Sequence, residues 1–289
     1  MSTQAALDDL IELLDLESLE LNLFRGRSPE EYRQRVFGGQ VAGQALVASG
    51  RTVDPARVLH SCHAYFLRPG DPMVPIIYEV DRIRDGRSFT TRRVVAIQHG
   101  RAIFNLQASY QIQEDGPTHQ DPMPEIADPE TLPTMQERFA PYADKFGPEF
   151  AEWSQRDRPI DSRPIEVPAW LDHQPRPPRQ DVWIRANGRL PDDPLLHVCV
   201  VAYASDLTIL DTAMLPHGSS FTDGEFQVAS LDHAMWFHRP FRADGWLLYH
   251  QRSQSASGAR GIAEGSIFTA EGELVVTVMQ EGLMRPVAR

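Results

Sequence analysis

Cysteine, lysine and long apolar runs are what this sequence has least of. Only Cys62 and Cys199 occur, far apart and in neither CxxC spacing nor a secreted-type framework, so buried thiols are expected and a disulfide scaffold is excluded. Lys145 is the single lysine, and 28 basic residues face 40 acidic ones for a net charge of −12. That balance disfavours a broad basic face for duplex nucleic acid or an anionic membrane surface. A few arginines gathered in one cleft could still hold a phosphorylated small molecule. No apolar run approaches the ~18 residues of a membrane span, and MSTQAALDDLIELLDLESLE at the start is acidic where a signal peptide is basic. A cytoplasmic protein is expected.

Signature motifs are equally scarce. No GxSxG elbow marks a serine hydrolase, and no GxxxxGK[ST] or GxGxxG loop marks a nucleotide site. The pairs His60 with His63 and His233 with His238 lack HExxH or a carboxylate at ligand spacing, so no metal is expected.

What is present is globular. Leu7, Leu10, Ile11 and Leu14 recur at helical spacing among acidic residues, which predicts a short amphipathic helix docked on the body. From Phe37, FGGQVAGQALVASGRTV reads as a tight turn entering a helix of small residues, followed by four strand-like runs. In the last run Phe104, Leu106, Ala108, Tyr110 and Ile112 alternate with Asn105, Gln107, Ser109 and Gln111, which predicts a half-buried antiparallel strand. Between Pro117 and Pro178 lie 13 of the 23 prolines, so that segment should be mostly irregular connection.

The second half then repeats the first. HAYFLRP at His63–Pro69 reappears as HAMWFHRP at His233–Pro240, and GRAIFNLQA at Gly100–Ala108 as GELVVTVMQ at Gly272–Gln280, at separations of 170 and 172 residues. The extra residue in the second phrase could be a bulge or an insertion at a strand edge. Such a long period points to two tandem copies of one domain. Each copy has a small-residue helix followed by several long strands, which suits an α+β hotdog, an antiparallel sheet wrapped around a central helix. The expected organisation is an N-terminal repeat over 1–116, a proline-rich connection over 117–178 and a C-terminal repeat over 179–289.

A duplicated domain allows a comparison inside one sequence. Gln280 falls opposite Ala108 on an otherwise apolar face, where a buried amide needs a partner. Asp206 falls where the first copy has the uncharged FGGQVAGQAL, at or near a helix start, where an aspartate commonly caps the helix; Asp211 shares that helix. Ser230, aligned with His60, enters a strand, where a serine usually does nothing. Together, one carboxylate, one hydroxyl and one amide could hold a water molecule by three hydrogen bonds.

DLTILDTAMLPHG, SLDHAMWFHRPF, WLLYHQRSQSASGARG and VTVMQEGLMR, with FGGQVAGQAL and HSCHAYFLRPGD, resemble the acyl-CoA thioesterase II family of the TesB type, from about Phe37 to Arg285. The resemblance implies a double hotdog and cofactor-free hydrolysis of fatty acyl-CoA to fatty acid and coenzyme A. The family's catalytic aspartate falls on Asp206, its hydroxyl residue on Ser230 (threonine in many members) and its glutamine on Gln280. Arg68, Arg92, Arg93, Arg239 and Arg260 are candidates for the coenzyme A phosphates. The rival readings are an acyl-CoA-binding protein without turnover and a hotdog enoyl-CoA hydratase. For the latter, Asp232 and His233 make a poor dyad, because strand neighbours point to opposite faces. The first copy, lacking counterparts of Asp206 and Gln280, should shape the pocket without doing chemistry, and a homo-oligomer, dimer or tetramer, is expected from the sheet edges such folds bury.

Overall fold

The structure is a computed structural model that describes residues 3–29, 35–219 and 224–287. The amphipathic helix is α1 (Thr3–Leu14), and it buries Leu7, Leu10 and Leu14 as its spacing requires. Two short strands follow, β1 (Glu17–Glu20) and β2 (Leu23–Gly26), then the small-residue helix α2 (Gly38–Gly50). The first copy is completed by β3 (Arg57–Phe66), β4 (Ile76–Asp85), β5 (Phe89–Gln98) and β6 (Arg101–Ile112). Phe104, Leu106, Ala108 and Tyr110 of β6 all face the core, the alternation read from sequence.

The connection holds more structure than its prolines suggest. It forms the short helices α3 (Met135–Phe139), α4 (Ala143–Phe146), α5 (Pro148–Ser154) and α6 (Ala169–Asp172) and one strand, β7 (Ile160–Pro164), which pairs with the second copy. Phe139, Phe150, Trp153 and Trp170 pack ring against ring and give these one- and two-turn helices a small core of their own.

The second copy contains β8 (Arg179–Ala186), α7 (Pro194–Ser205), α8 (Ile209–Met214), β9 (Phe226–Ser230), β10 (Asp232–Phe237), β11 (Leu247–Ser257), β12 (Arg260–Thr269) and β13 (Leu274–Pro286). The helical stretch Pro194–His217 is long and apolar enough by composition to cross a membrane, and 67% of its most apolar window is buried inside the protein. α2 packs on β4, β5 and β6, and α8 packs on β11, β12 and β13, so α8 is the counterpart of α2.

All strands belong to one antiparallel sheet in the order β1-β2-β4-β5-β6-β3-β10-β13-β12-β11-β8-β7, with β9 on β13. The copies meet at β3 and β10, where His233 stands opposite Ala64 and Met235 opposite Cys62. On the helix side of this seam Cys62 and Ala64 are buried in β3, and His233, Met235 and Phe237 in β10. His63 is exposed on the other face, in edge-to-face contact with Trp236.

This phase corrects the repeat as read from sequence. His63 and His233 lie on opposite faces, so they are not equivalent; Cys62 is the counterpart of His233, and the match LRP to HRP sets the register. The cross-strand pairs agree: Leu59 faces Tyr110 in the first copy where Ser230 faces Gly282 in the second. Ser230 therefore corresponds to Leu59 and not to His60. His60 is the bulged residue that keeps β3 continuous, whereas the second copy breaks between β9 and β10 at Leu231.

Candidate active site

Three segments converge where the copies meet. The first is the junction of α7 and α8. Asp206 is the C-cap residue of α7 and stands three residues ahead of α8, whose N-cap position is Thr208. It does not cap α8, whose N-cap position has no side-chain cap bond, and its Oδ1 is buried and finds no hydrogen-bond partner among the described residues. A buried network holds the junction still. Gln251 Nε2 donates to Thr208 Oγ1 at 2.7 Å, Thr212 Oγ1 donates to Gln251 Oε1 at 3.0 Å, and Gln180 Nε2 donates to the Thr208 carbonyl at 2.9 Å.

The second segment is the strand break. Ser230 ends β9, and Leu231 bridges the gap by donating its N–H to the Glu281 carbonyl and accepting from Phe66 N–H, both at 2.9 Å. The third is β13, on which Gln280 is fully buried. Gln280 Nε2 donates to Ser230 Oγ at 2.8 Å, so the hydroxyl and amide read from sequence meet directly. Gln280 Oε1 accepts from His233 Nδ1 at 2.5 Å, and His233 Nε2 lies 2.9 Å from Ser205 Oγ. Asp232 turns the other way and accepts from the Glu281 N–H, as neighbours on a strand must.

The first copy also reaches this place. The N-terminal turn of α2 faces Asp206: a Cβ on Gly38 would lie 2.6 Å from Asp206 Oδ2, and one on Gly39 would lie 2.5 Å from the Tyr203 carbonyl. At Gly39 the obstacle is backbone, so only glycine fits there; at Gly38 a side chain would have to displace the Asp206 carboxylate and the Phe66 ring. Burial pushes the Asp206 carboxyl above the usual carboxylate range; the His233 ring, the Gln280 amide, the Gly39 N–H and the Ser230 hydroxyl oppose that push. None of these groups makes a direct hydrogen bond of ordinary geometry to the carboxylate.

The three segments open on a cavity of about 480 Å³, within the usual range for small-molecule sites. Val36, Phe37, Val41, Phe66, Ile103, Phe104 and Leu210 make most of it apolar, and Asp206, Ser230 and Asp211 add polar groups to its wall. Burial pushes the Asp211 carboxyl up to about 8 with no opposing partner among the described residues, whereas several groups oppose the same push at Asp206. Arg35 and Arg68 also line the cavity.

Of the five arginines read from sequence, four are engaged elsewhere. Arg92 is buried on Asp85 and Thr52, Arg93 pairs with Asp81, Arg239 donates to the Leu274 carbonyl and Arg260 pairs with Glu281. Arg68 alone of the five borders the cavity; it is exposed, donates one N–H to the Ala102 carbonyl and has no carboxylate partner among the described residues. Sequence reasoning passed over Arg35 at the cavity and weighed His233 only for a metal or a hydratase dyad, not as a partner of Gln280. The burial phase of HSCHAYF against DHAMWF would have exposed His233, because it puts that histidine on the apolar face opposite Cys62.

The hotdog pair, with the Asp206 carboxylate and the Ser230 hydroxyl on the wall of an apolar cavity and the Gln280 amide bonded to that hydroxyl, has a fold and polar groups suited to thioester hydrolysis. The comparisons with known proteins agree. Residues 154–283 match the acyl-CoA thioesterase family and residues 28–111 match the acyl-CoA thioesterase N-terminal domain. Acyl-CoA thioesterase 2 of Haemophilus influenzae is 40% identical over 279 residues, covering 96% of this chain and 98% of its own. Acyl-coenzyme A thioesterase 8 of Mus musculus is 42% identical over 284 residues, covering 94% and 88%. The crystal structure of acyl-CoA thioesterase II TesB2 from Mycobacterium marinum superposes with a TM-score of 0.80 at 48% identity, covering 96% of this chain and 99% of that one. The chain belongs to the acyl-CoA thioesterase family, and it hydrolyses acyl-CoA thioesters.

Proposed function

We propose that Asp206 is the general base of this hydrolysis, and that Ser230 and Gln280 direct the water it activates. The observation that carries the reading is the buried, unpartnered Oδ1 of Asp206 beside the Ser230–Gln280 pair. A carboxylate oxygen free to accept, next to a hydroxyl and an amide already bonded to each other, can hold one water by hydrogen bonds from three sides. Asp206 takes the proton as the water oxygen attacks the thioester carbonyl. The tetrahedral intermediate then expels the coenzyme A thiolate, a good leaving group, and the fatty acid departs.

Negative charge on the carbonyl oxygen needs donors that are in place beforehand. The N-terminal turn of α2 supplies them in this reading, because the N–H groups of Gly38 and Gly39 begin a helix whose N-cap residue, Phe37, offers no capping side chain. The first copy would thus take part in the chemistry through its backbone, a larger role than shaping the pocket.

The apolar cavity wall suits the acyl chain, and Arg68 with Arg35 at the same cavity suits the phosphates of coenzyme A. All four residues of the edge strand β1 are exposed, which supports burial of this edge in a homo-oligomer. The reading is tested by following free thiol release from a series of saturated acyl-CoAs with the wild type, Ser230→Ala and Gln280→Ala. Both variants should lose kcat more than they raise KM. Unchanged kcat in either would remove that residue from the mechanism.

A further inference from the structure

We propose that His233 is a positioning residue for the hydrolysis, acting through Gln280; this rests on the reading that Gln280 directs the attacking water. His233 is 2% exposed and lies within the apolar core cluster of the seam, a place where an imidazole has no reason to sit unless both ring nitrogens are satisfied. Both are. Nδ1 meets Gln280 Oε1 and Nε2 meets Ser205 Oγ.

The consequence lies in the geometry of the glutamine. A primary amide has one accepting and one donating end, and rotation by half a turn exchanges them. With Nδ1–H donating to Oε1, the amide is fixed with its NH₂ toward Ser230 and the cavity wall, the orientation in which it donates to Ser230 Oγ. Without that donor the flipped amide, presenting its oxygen to the water, is equally available. The second ring nitrogen adds a further restraint. Ser205 directly precedes Asp206 and its hydroxyl is also 3.0 Å from the Ala202 carbonyl, so His233 joins the end of α7, which carries the carboxylate, to β13, which carries the amide.

The first copy supplies an internal control. At the equivalent cross-strand pair it has Cys62 facing Ala108, so the histidine and the glutamine are absent together. A histidine kept only to fill the seam would have no cause to vary with the amide across the sheet.

The test is a double-mutant cycle on kcat and KM for acyl-CoA hydrolysis, using His233→Leu, Gln280→Ala and the double variant, with His233→Asn beside them. Asparagine keeps an N–H near the Nδ1 position; His233→Gln keeps one near Nε2 only. The expected result is a fall in kcat of about tenfold or more for His233→Leu with KM changed by less than about twofold, no further fall when it is added to Gln280→Ala, and most of the activity restored in His233→Asn. If His233→Leu does not fold, the contrast between His233→Asn, active, and His233→Gln, impaired, decides the same point. Equal losses from His233→Leu in both backgrounds, or His233→Asn and His233→Gln equally impaired, would overturn the proposal. Loss of activity in His233→Leu with full activity in Gln280→Ala would overturn it together with the reading of Gln280, an outcome readily told apart from the others.

Discussion

Gly38, in the first copy, and Asp206, in the second, touch: a single added methyl on the glycine would lie 2.6 Å from Asp206 Oδ2 and 2.9 Å from the Phe66 ring. The carboxylate is therefore held against the start of α2, where its charge is favoured by the helix dipole and its reach into the cavity is limited to one direction. Gly38→Ala tests this contact. The carboxylate is the end of a short side chain that can swing away, so the variant should fold with nearly normal Tm while kcat falls by on the order of tenfold or more. Normal kcat in the folded variant would show that the position of Asp206 is not critical.

The pH profile should report the burial of Asp206. Its carboxyl is raised above the ordinary range, first by burial, and a general base works only when ionised. Activity should accordingly fall on the acid side with a midpoint above that of an exposed aspartate, ~4. An acid limb in kcat/KM at or below that value would contradict the assignment.

Asp211 predicts a different pH effect, on stability. Its carboxyl is pushed up to about 8 in the folded protein from an ordinary value of 3.8, so between these limits the unfolded chain ionises it while the folded one does not. Its contribution to stability is full below the lower value and is lost as pH rises toward the upper one. Asp211→Asn removes the ionisation and should raise Tm at pH 8 by on the order of a few degrees, with little change at pH 4. Parallel Tm curves for variant and wild type would show that Asp211 is solvated.

Arg68 should matter for coenzyme A and not for the acyl group. Arg68→Ala should raise KM for acyl-CoA several-fold, more at low salt than at high, and leave kcat within about twofold. A thioester of N-acetylcysteamine, which lacks the phosphates, should be unaffected. Equal effects on both substrates would place Arg68 elsewhere than at the phosphates.

Much of this was legible in the sequence because the chain contains its own control. Ala108 against Gln280 marks a buried amide that packing alone does not require, and the glycine-led turn of FGGQVAGQAL marks the start of α2. Strand alternation, most plainly along β6, and the helix-then-strands order gave an α+β arrangement, and the family resemblance pointed to the double hotdog. What the sequence hid was phase. The shared histidine of HAYFLRP and HAMWFHRP drew His63 onto His233, although one faces out and the other in. Asp206 read as a helix cap because sequence alone does not reveal that α7 runs into α8 and leaves the side chain between them. The strand β7 was missed for a similar reason: IDSRP is short and lies among prolines, and its place is set by pairing with β8.

The most direct test of the account is Asp206→Asn, which keeps the shape of the side chain and removes its basicity. The purified variant, shown to be folded by its Tm, is compared with wild type by free thiol release across the acyl-CoA series. The account predicts a fall in kcat of roughly 10²-fold or more with KM little changed. A folded Asp206→Asn enzyme with wild-type kcat would contradict it.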